Sequence, residues 1–276
     1  MRTTPLTDHF GVVLHDFSIA DLDTAEGTGQ LRDAFDSGLV LIRGQSLSDS
    51  EQDRLVTTLG ELHRFPSGET FEYMSNVVEE EHNIAGTRRL LFHNDGSYGE
   101  HVAPGTCLYA MEVSPTSPPT AFADTVRAYQ QLPDDVRKTV ADLHGFNTFN
   151  VTAAIEDHDP SRYRIADHPE PPDGVRLKTA VHPAVIDVPH TGEQALFVSE
   201  FNTSHFDELG PDSAEGEELL QSIFAVLYAD DNVYTHHYEV GDVIIWNNLS
   251  TQHARVGRID RNPRTFRRLV VTALAW

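Results

Sequence analysis

The chain has 276 residues, 39% of them hydrophobic, which is enough for a large buried core, and it has no apolar run near the length of a membrane span. Its 43 acidic and 20 basic residues leave a formal net charge of -23, which argues against nucleic acid and anionic membrane surfaces as partners. The single Cys107 excludes an intramolecular disulfide and a Cys-based zinc cluster and points to a reducing cytoplasm; behind Met1–Pro5 there is no apolar stretch of the secretory type.

Taken in order, Gly11 to Leu14 predicts a short strand, and Gln30 to Asp36 a helix that stops at Gly38. The continuous apolar run Leu39 to Arg43 predicts a buried strand. Ser48-Asp49-Ser50-Glu51 is a capping box, opening a helix with Leu55, Leu59 and Leu62 on one face. Residues 64 to 88 read as an irregular polar loop over a site. Gly105 to Val113 and Thr120 to Asp124 predict strands on either side of a proline-rich break. Val126 to Leu132 and Asp134 to Leu143 predict helices, the second begun by Pro133. Residues 156 to 176 are rich in Asp, Pro, His and Arg and predict a long surface insertion, either a lid or disordered. Thr179 to Val188 and Ala195 to Ser199 predict paired strands, and Ser213 to Ala229 a helix. Val233 to Val240, Val243 to Trp246 and Arg267 to Ala273 return to strand. There is no repeat and no clear linker. The reading is one domain over 1–276, mainly β with inserted helices: a jelly roll carrying helices on one side.

The chemistry centres on Leu91-Phe92-His93-Asn94-Asp95-Gly96. On a strand, residues two apart share a face, so His93 and Asp95 can reach one metal ion together. The best third ligand is His253, at the end of Trp246-Asn247-Asn248-Leu249-Ser250-Thr251-Gln252-His253. Two imidazoles and one carboxylate on one face of an ion form the facial triad of non-heme iron oxygenases. Taken alone, His-X-Asp is a weak pattern in a chain with 15 His and 43 acidic residues. His182, His190, His236 and His237 read as surface or satisfied core histidines, and Trp246 as a wall of the metal pocket.

Two blocks strengthen the reading: Phe92-His93-Asn94-Asp95 through Thr120, and Tyr238 to His253 followed by Asn262-Pro263-Arg264-Thr265-Phe266-Arg267-Arg268. In order and spacing they resemble the taurine dioxygenase and 2,4-dichlorophenoxyacetate dioxygenase group of Fe(II)/2-oxoglutarate oxygenases, across essentially the whole chain. The resemblance implies a double-stranded β-helix with Fe(II) on His93, Asp95 and His253. It implies that Arg264 and Thr120 hold the distal carboxylate of 2-oxoglutarate, a task suited to a planar two-pronged guanidinium. It also implies that Arg268, four residues further on, holds an acid group of the substrate. Phe149 and Phe201 fall where the family places aromatic substrate contacts, although core packing would explain them equally. The stretch Leu62-His63-Arg64-Phe65-Pro66 departs from the taurine pattern, so taurine itself is not the expected substrate.

The implied activity is oxidation of an unactivated C–H bond with O2, 2-oxoglutarate leaving as succinate and CO2. The outcome would be hydroxylation, with desaturation, epoxidation or ring expansion open. Asp95 leaves a halide no vacant ligand position, which argues against halogenation. The expected partner is a small acidic molecule with an apolar body, of the kind found in specialised metabolism; homo-oligomerisation is left open. Two rival readings stand beside this one, a non-catalytic jelly-roll binding protein and a zinc-dependent hydrolase. Neither needs a buried clamp for a dicarboxylate.

Overall fold

The computed structural model describes residues 1–77, 89–149, 162, 163, 165, 166 and 178–276. The residue 156–176 insertion, Arg162, Tyr163, Ile165 and Ala166 apart, lies outside the described residues, as does the 78–88 part of the loop expected over the site.

Two sheets face one another. The larger runs Arg2–Pro5, Val12–His15, Leu39–Ile42, Val243–Asn247, Gly105–Val113 and Arg264–Leu274, with Gly60–Leu62 and Phe71–Ser75 both on the outer edge of that last strand. The smaller runs Val233–His236, Thr120–Asp124, Thr251–Arg255 and Leu90–His93. Their strand pairs are antiparallel except Val12–His15 with Leu39–Ile42. This is the expected jelly roll.

Side-chain alternation explains the layers. In Val243–Asn247, Ile244 and Trp246 point between the sheets and pack with Leu108, Ala110, Phe122 and Phe266. Val243 and Ile245 point the other way, against Leu31, Phe35, Leu55 and Val56 of the helices Ala25–Asp36 and Asp49–Thr57. The outer side of the smaller sheet presents Ala123 and Val233 to a third cluster with Leu220, Ile223, Phe224 and Leu227 of the helix Ala214–Leu227. Helices therefore cover both outer faces, where the sequence reading placed them on one. The reason is that strands of both sheets are apolar on both sides and neither outer face can be left to water. Among the described residues, no helix is long and apolar enough to cross a membrane.

Local signals set several boundaries. Ser48 Oγ accepts the Glu51 N–H at 3.3 Å, and the Glu51 carboxylate accepts the Ser48 N–H at 2.8 Å, which completes the capping box. The first helix begins at Ala25, five residues earlier than expected, because the Thr24 side chain accepts the Gly27 N–H and caps it. The polar stretch 64 to 88 holds a strand, Phe71–Ser75. Its residues are mostly half-buried and mixed in polarity, so the local pattern was too weak to show an edge strand that a neighbour's free edge recruits.

Candidate active site

Strand register brings the two histidines together. Leu90–His93 pairs with Thr251–Arg255 so that His93 stands directly opposite His253, with ring centroids 4.2 Å apart. Directly opposed residues of an antiparallel pair project to the same face. The strand ends at His93, so Asp95 does not share a strand face with it as the sequence reading supposed. Asp95 sits in the turn that follows, and Gly96, at φ +79°, carries the chain away.

Asp95 is placed by long-range hydrogen bonds. Its N–H donates to Asn248 Oδ1 at 2.9 Å, and its carbonyl accepts from Asn248 Nδ2 at 2.9 Å. Asn248 Nδ2 also donates to the Ala103 carbonyl at 2.8 Å, and Asn94 Nδ2 donates to the Asn248 carbonyl at 2.6 Å. The two carboxylate oxygens then divide their work. Oδ2 accepts from Arg268 at 2.7 Å and from Thr106 Oγ1 at 3.2 Å. Oδ1 faces His93 Nε2 at 3.6 Å and His253 Nε2 at 3.8 Å.

The protonation states suit a cation. Burial works to raise the Asp95 pKa, but the Arg268 guanidinium together with His253 and His93 outweighs it and holds the carboxyl well below its ordinary range. Burial, with His93 beside it, pushes His253 down to about 3, so its imidazole is neutral at physiological pH. His93 Nδ1 lies 2.8 Å from the Leu91 carbonyl, which can only accept. Nδ1 therefore carries a proton, and Nε2 is the ring nitrogen that faces Asp95. The candidate ligand atoms of all three residues lie within 4.8 Å of one another. Two imidazoles and an ionised carboxylate fit a first-row divalent metal.

Asn248, which lies in the motif and was given no role in the sequence reading, holds the Asp95 backbone from both sides. Asn248→Ala would free both backbone groups of Asp95. The expected result is a loss of Fe(II) affinity of about 10–100-fold, the usual cost of an outer-shell partner, read by anaerobic metal titration. A change under twofold would mean that the turn holds Asp95 unaided.

Above the triad opens a cavity of about 670 Å³. Arg264 and Arg268 both line it, as does Thr120. Arg264 is only 4% exposed and lies over the Phe266 ring at 4.2 Å. Its Nε is buried without a hydrogen-bond partner, and among the described residues no carboxylate pairs with its charge. Arg255, also on the wall, is pushed down to about 10 by burial and by the nearby charge of Arg264. Thr120 Oγ1 accepts from Tyr238 at 3.1 Å, beside Arg264. A buried guanidinium with a free donor is costly unless an anion meets it. This corner of the cavity thus presents a buried cation with a donor left over for an anion.

Phe149 and Phe201 line the same cavity. Phe201 is 5.6 Å from the His93 ring and 6.4 Å from Phe149, and Tyr98 lies 4.5 Å from Phe149. Trp246, His63 and Phe65 complete part of the wall. Three of the four histidines that the sequence reading set aside, His182, His190 and His236, have partners elsewhere. His236 is buried between Asp242, at 3.0 Å, and the Tyr234 hydroxyl, at 3.1 Å. His182 Nε2 meets the Gly99 carbonyl at 2.8 Å, and His190 lies 3.6 Å from Asp36. Arg267, on the other face of its strand, donates to the Leu47 and Ser48 carbonyls at 3.0 Å each and pairs with Asp49.

Comparison with known proteins agrees with this geometry. The family model described as "Taurine catabolism dioxygenase TauD, TfdA family" matches residues 2–271. Pentalenolactone F synthase of Streptomyces avermitilis is 29% identical over 213 residues, covering 72% of this chain and 67% of that protein. The alpha-ketoglutarate-dependent 2,4-dichlorophenoxyacetate dioxygenase of Cupriavidus pinatubonensis is 27% identical, covering 85% of this chain and 86% of its own. Among solved structures, AAD-2 in complex with Mn(II) and N-oxalylglycine superposes with a TM-score of 0.79 at 21% identity, covering 99% of this chain and 98% of that one. A taurine dioxygenase from Burkholderia xenovorans superposes with a TM-score of 0.78 at 19% identity, covering 99% and 90%.

Proposed function

Because the chain belongs to the TauD/TfdA family of Fe(II)- and 2-oxoglutarate-dependent dioxygenases, we propose that it oxidises an unactivated C–H bond of a small acidic molecule with an apolar body. When bound, Fe(II) with 2-oxoglutarate and O2 supplies the oxidising power, and 2-oxoglutarate leaves as succinate and CO2.

In this reading His93, Asp95 and His253 hold the iron. Arg264 and Thr120 bind the distal carboxylate of 2-oxoglutarate. Phe149 and Phe201 flank the apolar part of the substrate, and Arg268 meets its acid group. The protein's share of the chemistry is placement, exclusion of water and a fixed field. Arg268 steadies Asp95 Oδ2 and so leaves Oδ1 to the metal. Relatives named for sulfate ester and phenoxypropionate substrates support a role on small acidic molecules, and one named for pentalenolactone F supports a substrate with an apolar body. A reducing cytoplasm suits the buried, unpaired Cys107.

The observation that carries the proposal is the buried, unpaired Arg264 above the triad. A zinc hydrolase or a simple binding protein has no use for it. The test is anaerobic addition of Fe(II) and 2-oxoglutarate to the metal-free protein. The expected result is a weak visible charge-transfer absorption that requires both, followed on admission of O2 by succinate. Neither absorption nor succinate, together with tight Zn(II) binding, would overturn it.

A further inference from the structure

The cavity wall carries one carboxylate that the proposed chemistry leaves unused. Glu72 lies on the edge strand Phe71–Ser75, in direct register with Arg268 on Arg264–Leu274. Opposed residues of an antiparallel pair stand side by side, so strand pairing itself delivers the carboxylate to the guanidinium. Arg268 donates to Glu72 Oε1 at 2.6 Å and to Asp95 Oδ2 at 2.7 Å. Both partners of the Glu72–Arg268 pair are largely shielded, their side chains 24% and 21% exposed. Glu72 and Asp95 are the acidic side chains of the described cavity wall.

We infer that Glu72 is a specificity-determining residue: an internal carboxylate that occupies Arg268 where the acid group of a substrate would bind. The inference rests on the reading of Arg268 as the acid-binding residue. One guanidinium already faces two carboxylates. A third, arriving at Arg268 while Glu72 stays in place, meets a guanidinium already shared between two negative charges. An anionic substrate therefore gains Arg268 only by displacing Glu72. Repulsion of the wrong partner is as much a source of specificity as attraction of the right one. A small acid brings little with which to displace Glu72. An acid with an apolar body has more, because it also buries surface against Phe149, Phe201 and Met74, which line the same space. The substrate class follows: acids carrying a substantial apolar body, with compact sulfonates and carboxylates rejected.

The test uses the full chain loaded anaerobically with Fe(II) and 2-oxoglutarate. The probes are 2,4-dichlorophenoxyacetate, the acid named for one relative, and its uncharged amide. Affinities are read from Trp fluorescence, which Trp246 on the cavity wall makes responsive, for the wild type, Glu72→Gln and Arg268→Gln. Glu72→Gln keeps the size of the side chain and removes its charge; thermal melts check folding. The expected result is about tenfold tighter binding of the acid by Glu72→Gln, with the amide changed less than twofold. Acid and amide moving together, or no saturable acid binding by Glu72→Gln, would overturn the inference. If Glu72→Gln leaves the acid unchanged while Arg268→Gln weakens it, Glu72 is no competitor, but Arg268 still binds acids. If neither variant alters acid binding, the reading of Arg268 itself falls, and this inference with it.

Discussion

Replacing His93 by Ala is expected to abolish Fe(II)-dependent turnover and to weaken metal binding well beyond the about 10–100-fold typical of an outer-shell partner. The reason is the donor count. His93 and His253 offer the two imidazole nitrogens, and Asp95 Oδ1 stands 3.6 and 3.8 Å from them. Without His93 the ion keeps one imidazole and one carboxylate oxygen, and the Leu91 carbonyl that orients the ring has nothing to orient. His253→Ala is expected to do the same from the other strand. His236→Ala is the control. That side chain is also a histidine, more deeply buried than either ligand, but it is spent on Asp242 and Tyr234. Its loss is expected to lower stability by about 1–3 kcal/mol through unpaired buried polar groups and to leave metal affinity within about twofold. Fe(II) titration and thermal melts on the three variants separate the cases. Undiminished metal binding in His93→Ala would sink the triad.

Arg264→Met is expected to weaken 2-oxoglutarate binding by about 2–4 kcal/mol, roughly 30-fold to 1000-fold, while sparing Fe(II). A bidentate guanidinium on a buried carboxylate is the strong kind of hydrogen-bonded pair, and Lys at this position would restore charge without the fork. Arg264→Lys should therefore fall between the two. A second readout is specific to an arginine kept for a ligand. In the absence of 2-oxoglutarate, Arg264 bears the cost of burial: its pKa is lowered by desolvation, and its Nε has no partner. Removing an unpaired buried charge should raise the melting temperature of the ligand-free protein. Arg267 makes the useful contrast three residues away, since it is buried too but bonded to the Leu47 and Ser48 carbonyls and to Asp49. Its loss should lower stability. A fall in the melting temperature of Arg264→Met, with 2-oxoglutarate affinity intact, would make Arg264 a structural residue like Arg267.

What the sequence determined by itself was local or carried by a motif. The capping box at Ser48, the strands Gly105–Val113 and Thr120–Asp124, and the helix Ala214–Leu227 follow from spacing and side-chain type over a few residues. The candidate ligands and the cavity arginines Arg264 and Arg268 were legible because their residue types recur in a family order along the chain. Only the tertiary structure decided how they meet. Nothing near His93 says that it will stand opposite His253; that register is set between strands 160 positions apart. The expected shared strand face of His93 and Asp95 gave way to a turn held by Asn248, because hydrogen bonds across the fold outweigh the local alternation of side chains. The same cause hid Glu72. It lies in a polar stretch with no clear period, and its partner is 196 positions away. Local periodicity encodes which face a side chain takes, whereas the identity of the group across from it is settled by which strands pair, and that is a property of the whole core.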